Sequence, residues 1–223
     1  MIVMTSLPPN ALPQRRRGIV PVVVLAVLAC MIAAVVVGLA GPAPVFKEGG
    51  PVELATAAGL FALSAGLAVL IARGALAATF WHLPVLLFLM AGREMDWDKS
   101  LLSGGMLKSR FYLDPGPLWE KAIGFCVVVL LLWCMVRTLR HGWRPCLAAL
   151  RHGAGWPWAT GAGIVLVVIA KAIDGIDRKL APWGIVVPPD VVDIAGKSEE
   201  VMELAFALAL VWALWLWRSG DRT

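Results

Sequence analysis

The sequence predicts an all-α, polytopic helical membrane bundle of six transmembrane helices with both termini in the cytoplasm. Composition is the first observation behind this: the 223 residues are 60% hydrophobic and 16% charged, with a mean hydropathy of +0.80, too apolar for a soluble domain. Apolar runs of about 20 residues also recur along the chain, each long enough to cross a hydrocarbon core of about 30 Å as a helix. The third observation is the segregation of arginine into stretches that border these runs. The roughly 10-residue apolar/polar alternation of an outer-membrane barrel is absent, which points to the plasma (inner) membrane.

Residues 1–17 form a polar, Pro-rich tail that ends in Arg15-Arg16-Arg17 and is placed in the cytoplasm by the positive-inside rule. Span one, about 18–40, exceeds the roughly 7–15 residues of a signal-peptide core, so it is expected to stay in the membrane. Span two covers about 54–72, where Ala58, Ala62 and Gly66 form a small-residue stripe suited to close helix packing. Arg73-Gly74 turns the chain into span three, about 75–92, which carries His82 and Pro84. Pro84 predicts a bend near Phe80, and with no Gly or Pro before Gly104 the helix is expected to run on to about Leu102.

Span four covers about 118–136 and is followed by a segment with Arg137, Arg140, Arg144 and Arg151 but no acid, hence cytoplasmic. Span five covers about 156–175. The loop after it holds Pro182, Pro188 and Pro189, and Ser198 is the expected N-cap of span six, about 199–217. Residues 218–223 return to the cytoplasm as a short tail. Cys30, Cys126 and Cys134 lie in spans and Cys146 faces the cytoplasm, so no cysteine is placed for an extracytoplasmic disulfide.

With this topology the 20 Lys and Arg residues divide ten to each side, whereas fourteen of the 15 acids lie outside, Asp221 being the exception. The basic excess thus belongs to the inner face, where lipid headgroups satisfy it, and no nucleic-acid partner is expected. Glu53, Glu120, Glu199 and Glu200 fall at the starts of inward-running helices, where the helix dipole accounts for them. Glu94, Asp98, Asp174 and Asp177 fall at helix C-termini, where the dipole disfavours acids.

Glu94 and Asp98 are four apart and Asp174 and Asp177 three apart, so each pair shares a face if its helix persists. Arg93 and Lys171 lie slightly deeper, as does Glu203, where an unpaired charge is costly. If spans three, five and six are neighbours, Arg93, Glu94, Lys171, Asp174 and Glu203 converge in an outward-facing polar pocket. Interfacial salt bridges that fix helix register are the competing reading of the same residues.

Such a pocket suits small-solute or ion-linked transport, with protons or a hard cation as the ligand; oxygen donors favour Mg, Mn or Ca over Zn or Cu. A membrane-embedded, metal-dependent hydrolase or transferase is the alternative, with paired carboxylates holding the metal and Lys108, Arg110 or Arg93 holding a phosphate or lipid headgroup. A non-catalytic scaffold or accessory subunit is a third. No motif assigns a catalytic residue, a metal or a cofactor, and the lipid bilayer is the one partner the composition defines. His141, Cys146 and His152 match no regular zinc spacing.

Overall fold

A computed structural model describes residues 16–40, 43–46 and 49–220. Among these the chain is all-helical: α1 (Arg16–Ala40), α2 (Pro51–Ala72), α3 (His82–Glu94), α4 (Trp97–Leu101), α5 (Ser109–Leu113), α6 (Leu118–Arg151), α7 (Trp156–Ile173), α8 (Ile176–Leu180) and α9 (Pro189–Gly220), with short 3-10 turns at Ala43–Phe46, Ala78–Phe80 and Ala181–Trp183. Four helices, α2, α6, α7 and α9, are long and apolar enough to cross a membrane, which makes this a multi-pass membrane protein. Most of the polar tail before α1, Lys47 and Glu48 in the first loop, and Asp221 to Thr223 lie outside the described residues.

The stretch expected as span three is built differently from the others. A 3-10 turn precedes α3, which has 13 residues. Pro84 therefore sits in the first turn of a helix, where its missing N–H costs no intrahelical bond, and the expected bend becomes a helix start. Nor does the helix continue to Leu102. It stops at Glu94 because Asp96 adopts a left-handed conformation (φ 50°), and the chain folds back to place the Trp97 indole on α2 and α3. Trp97 stacks near Phe61 (5.5 Å) and Phe88 (5.7 Å), over a notch at Gly92 where a Cβ would lie 2.8 Å from the ring.

Span six also departs from expectation. Pro189 opens α9 ten residues before the expected start, with Pro in the first turn where it is tolerated. Ser198 is consequently not an N-cap: it is buried in mid-helix, and its hydroxyl donates to the Ala34 carbonyl of α1 at 3.2 Å. The crossing is close because Gly38 has no side chain; a Cβ there would lie 2.8 Å from Ser198 Oγ and 2.9 Å from the Ile194 carbonyl oxygen.

α9 is the central helix, packed against α7, α1 and α2. One core cluster joins Ala34, Leu166, Ala170 and Met202, and a second joins Leu60, Ala91, Phe206 and Ala207. Four of these eight residues are alanine, which lets the helix backbones approach closely. The stripe expected to pack, Ala58, Ala62 and Gly66, instead faces away from the bundle: Ala58 and Ala62 are exposed and Gly66 meets nothing within 4 Å. The face of α2 that packs is Thr56, Ala57, Leu60, Leu63 and Ser64, and the Ser64 hydroxyl donates to the Pro84 carbonyl at 2.7 Å. α6 continues as a helix through Pro145 and carries the arginine segment with it. It lies at the edge of the bundle, against α3 and α7.

Candidate functional site

The loops after α3 and α7 and the first turns of α2 and α9 gather at one end of the bundle. There Lys171, near the end of α7, reaches across to α9. Its ammonium donates to Glu199 Oε1 at 2.9 Å and is in ion-pair contact with Glu203 Oε1. Glu199 and Glu203 are one turn apart and project from the same face. Their side chains are 16% and 7% exposed, while Lys171 is 50% exposed, so the acids are the sheltered partners.

Glu94, the last residue of α3, is within electrostatic reach of Glu203 and Lys171, and Glu200 adds a further carboxyl that feels Glu203, Glu53, Glu199 and Glu94. A cavity of about 240 Å³ opens beside Glu94, lined by Gly49, Glu53, Leu54, Glu94, Met95 and Asp96. The Gly49 N–H donates to Glu53 Oε2 at 2.6 Å, which fixes that wall. An acidic vestibule thus leads to a carboxylate whose neighbours are a buried glutamate and a lysine.

Of the residues the sequence brings forward, Glu94, Lys171 and Glu203 meet. Arg93 turns away and bonds Asp96 Oδ1 at 3.1 Å, with Lys99 on the other oxygen at 2.7 Å. Asp174 is the C-cap of α7 and pairs with Arg178 at 3.7 Å, across a Gly175 turn that needs φ 54°. Asp177 has no ion pair among the described residues. Asp98 does not share a face with Glu94, because the helix breaks between them; it is buried behind Gly105, with Oδ1 unpartnered. Lys108 and Arg110 line a separate cavity.

Glu53, Glu199 and Glu200 were missed. Glu199 and Glu200 are not helix-start residues, since α9 begins ten residues before the expected start and both lie well inside it. Two signals were available. Glu199 and Glu203 are one turn apart, and Pro189 is the residue type that opens a helix.

The other end of the bundle holds an arginine clamp. Arg137 of α6 donates from Nε to His82 Nδ1 at 3.3 Å and from Nη2 to the Thr79 carbonyl at 3.2 Å. Its guanidinium also lies over the rings of Trp133 (5.5 Å) and Trp81 (5.8 Å). His82 is fully buried, with the His141 ring 5.9 Å away. This is a helix-to-helix fastening of α6 to the start of α3.

Among the described residues no three His, Cys, Asp or Glu side chains are arranged to hold a metal ion. No family model, no curated protein and no solved structure matches this chain.

Proposed function

We propose that this protein is a six-crossing inner-membrane protein with cytoplasmic termini, in which Glu94, Glu203 and Lys171 form a proton relay for ion-linked movement of a small solute. In this reading α1 and the segment 78–94 complete the six crossings, and the arginine-rich end faces the cytoplasm. The observation that supports the reading is that Glu94 lines the vestibule and also lies within electrostatic reach of the Lys171–Glu203 pair. Two carboxylates placed together in a partly dehydrated site ionise together only at high cost, so they suit the sharing and passing of a proton. A lysine between Glu199 and Glu203 can release either acid as the other takes charge.

The test is proton movement into proteoliposomes loaded with a pH-sensitive dye, under an inward proton gradient, with mixtures of sugars, amino acids and inorganic ions. Wild type acidifies the lumen with at least one mixture, and Glu94→Gln and Glu203→Gln, incorporated to equal levels, do not. Equal acidification by wild type, both variants and empty liposomes with every mixture refutes the proposal.

A further inference from the structure

The loop between α4 and α6 encloses a second cavity, of about 340 Å³, which the proton relay leaves unused. Lys108, Arg110 and Lys121 line it together with Asp114 and Glu120, so three cations stand against two carboxylates on an otherwise acidic end of the bundle. The carboxylates are already engaged. Asp114 Oδ2 accepts from Arg110 Nε at 3.1 Å, and Glu120 Oε2 accepts the Ser103 N–H at 2.8 Å.

The cations retain donors. Arg110 bonds Asp114 through Nε and its side chain is 86% exposed, and Lys108 has no ion-pair partner among the described residues. Lys121 is fixed by two carbonyls, of Tyr112 (3.0 Å) and Asp114 (2.7 Å), rather than by an acid. A charge held by carbonyl dipoles alone is not neutralised. The loop that carries these residues is also pinned. Tyr112 donates its hydroxyl to the Met106 carbonyl at 2.8 Å, and burial pushes this phenol up, keeping it a donor. Phe111 fills the space over Gly124, where a Cβ would lie 3.0 Å away.

Apolar side chains continue outward from the rim. Leu113 and Leu118 are each 82% exposed and Trp119 58%, and beyond them α6 carries exposed Phe125, Val129 and Leu132 on the face of Leu118. A polar head in the cavity would therefore have apolar surface beside it, running down the helix.

We propose that this cavity binds a phosphate group through Lys108, Arg110 and Lys121, carried by the headgroup of an anionic membrane lipid whose chains lie along α6. Lysine and arginine donors to phosphate make charge-assisted bonds, the arginine fork matching two phosphate oxygens. The test uses the full-length protein and native mass spectrometry with phosphatidylglycerol, diacylglycerol and glycerol phosphate. Wild type retains phosphatidylglycerol and not diacylglycerol. Lys108→Gln/Arg110→Gln binds it about tenfold more weakly, the loss expected for charge-assisted bonds of this kind. Lys108→Arg/Arg110→Lys keeps most of the affinity, and Arg178→Gln, at the same end but outside the cavity, leaves it unchanged. Both Lys108 and Arg110 are exposed, and unchanged thermal unfolding of the double variant shows that its fold is intact. Binding of glycerol phosphate with the same dependence on Lys108 and Arg110, but none of phosphatidylglycerol, confirms the phosphate site and makes a soluble ester its source. Equal retention of phosphatidylglycerol and diacylglycerol, or lipid binding untouched by the double substitution, overturns the proposal.

Discussion

Lys171 of α7 and Glu203 of α9 form an ion pair in which the acid side chain is 7% exposed and the base 50%. The asymmetry matters because the sheltered partner bears the larger cost of losing the other. Glu199 shares the same ammonium, so Lys171 joins two turns of α9 to the end of α7.

Lys171→Met is expected to destabilise the protein by about 2 kcal/mol, below the roughly 3–5 of a fully buried pair because half of the lysine is solvated. Adding Glu203→Gln removes the stranded charge and recovers part of the loss. Thermal unfolding in detergent of the two single variants and the double variant measures both effects, and the double-mutant cycle gives the coupling.

Gly92 is the notch that receives Trp97. Gly92→Leu is expected to push the indole off Phe61 and Phe88, disturb the turn at Asp96, and lower stability by about 1–3 kcal/mol. A red shift in tryptophan emission in Gly92→Leu that is lost when Trp97→Phe is added identifies Trp97 as the residue that moved.

Gly38 faces a backbone carbonyl on α9, which cannot yield as a side-chain tip can. Gly38→Val should therefore separate α1 from α9 and leave the Ser198 hydroxyl without Ala34. Limited proteolysis that releases the N-terminal segment faster than in wild type, with Ser198→Ala showing a smaller effect, is the expected result.

Arg137 combines two hydrogen bonds with two aromatic faces, a geometry that a lysine cannot reproduce. Arg137→Lys should cost nearly as much stability as Arg137→Ala, on the order of 1–3 kcal/mol. Full retention of wild-type unfolding behaviour in Arg137→Lys would show that charge alone suffices.

The helical membrane character was legible because length and hydropathy report it directly, and both ends of α2 and α7 and the start of α6 fall within a few residues of expectation, whereas α6 runs on to Arg151, fifteen residues past its expected end. What the sequence hid were backbone events decided by tertiary contact. The break after Glu94 contains no Gly or Pro; it follows from Asp96 in a left-handed conformation with Trp97 docked on Gly92. The early start of α9 placed Ser198 against α1 and turned Glu199 and Glu200 from helix-end residues into interior ones. Of the candidate cluster, Lys171, Glu94 and Glu203 were readable from depth and direction along their helices. Arg93 and Asp174 were drawn off by near neighbours, Asp96 and Arg178, that the spacing argument did not weigh.

The central claim is that Glu94 and Glu203 take up and release a proton beneath the vestibule. Labelling by dicyclohexylcarbodiimide tests it most directly, because that apolar reagent modifies protonated carboxyls in apolar surroundings and the adduct is located by peptide mass spectrometry. Modification of Glu203 or Glu94 is expected to decline as pH is raised and to disappear from the cluster in Glu94→Gln/Glu203→Gln. Absence of label at both residues at every pH, or labelling indifferent to pH, would contradict it.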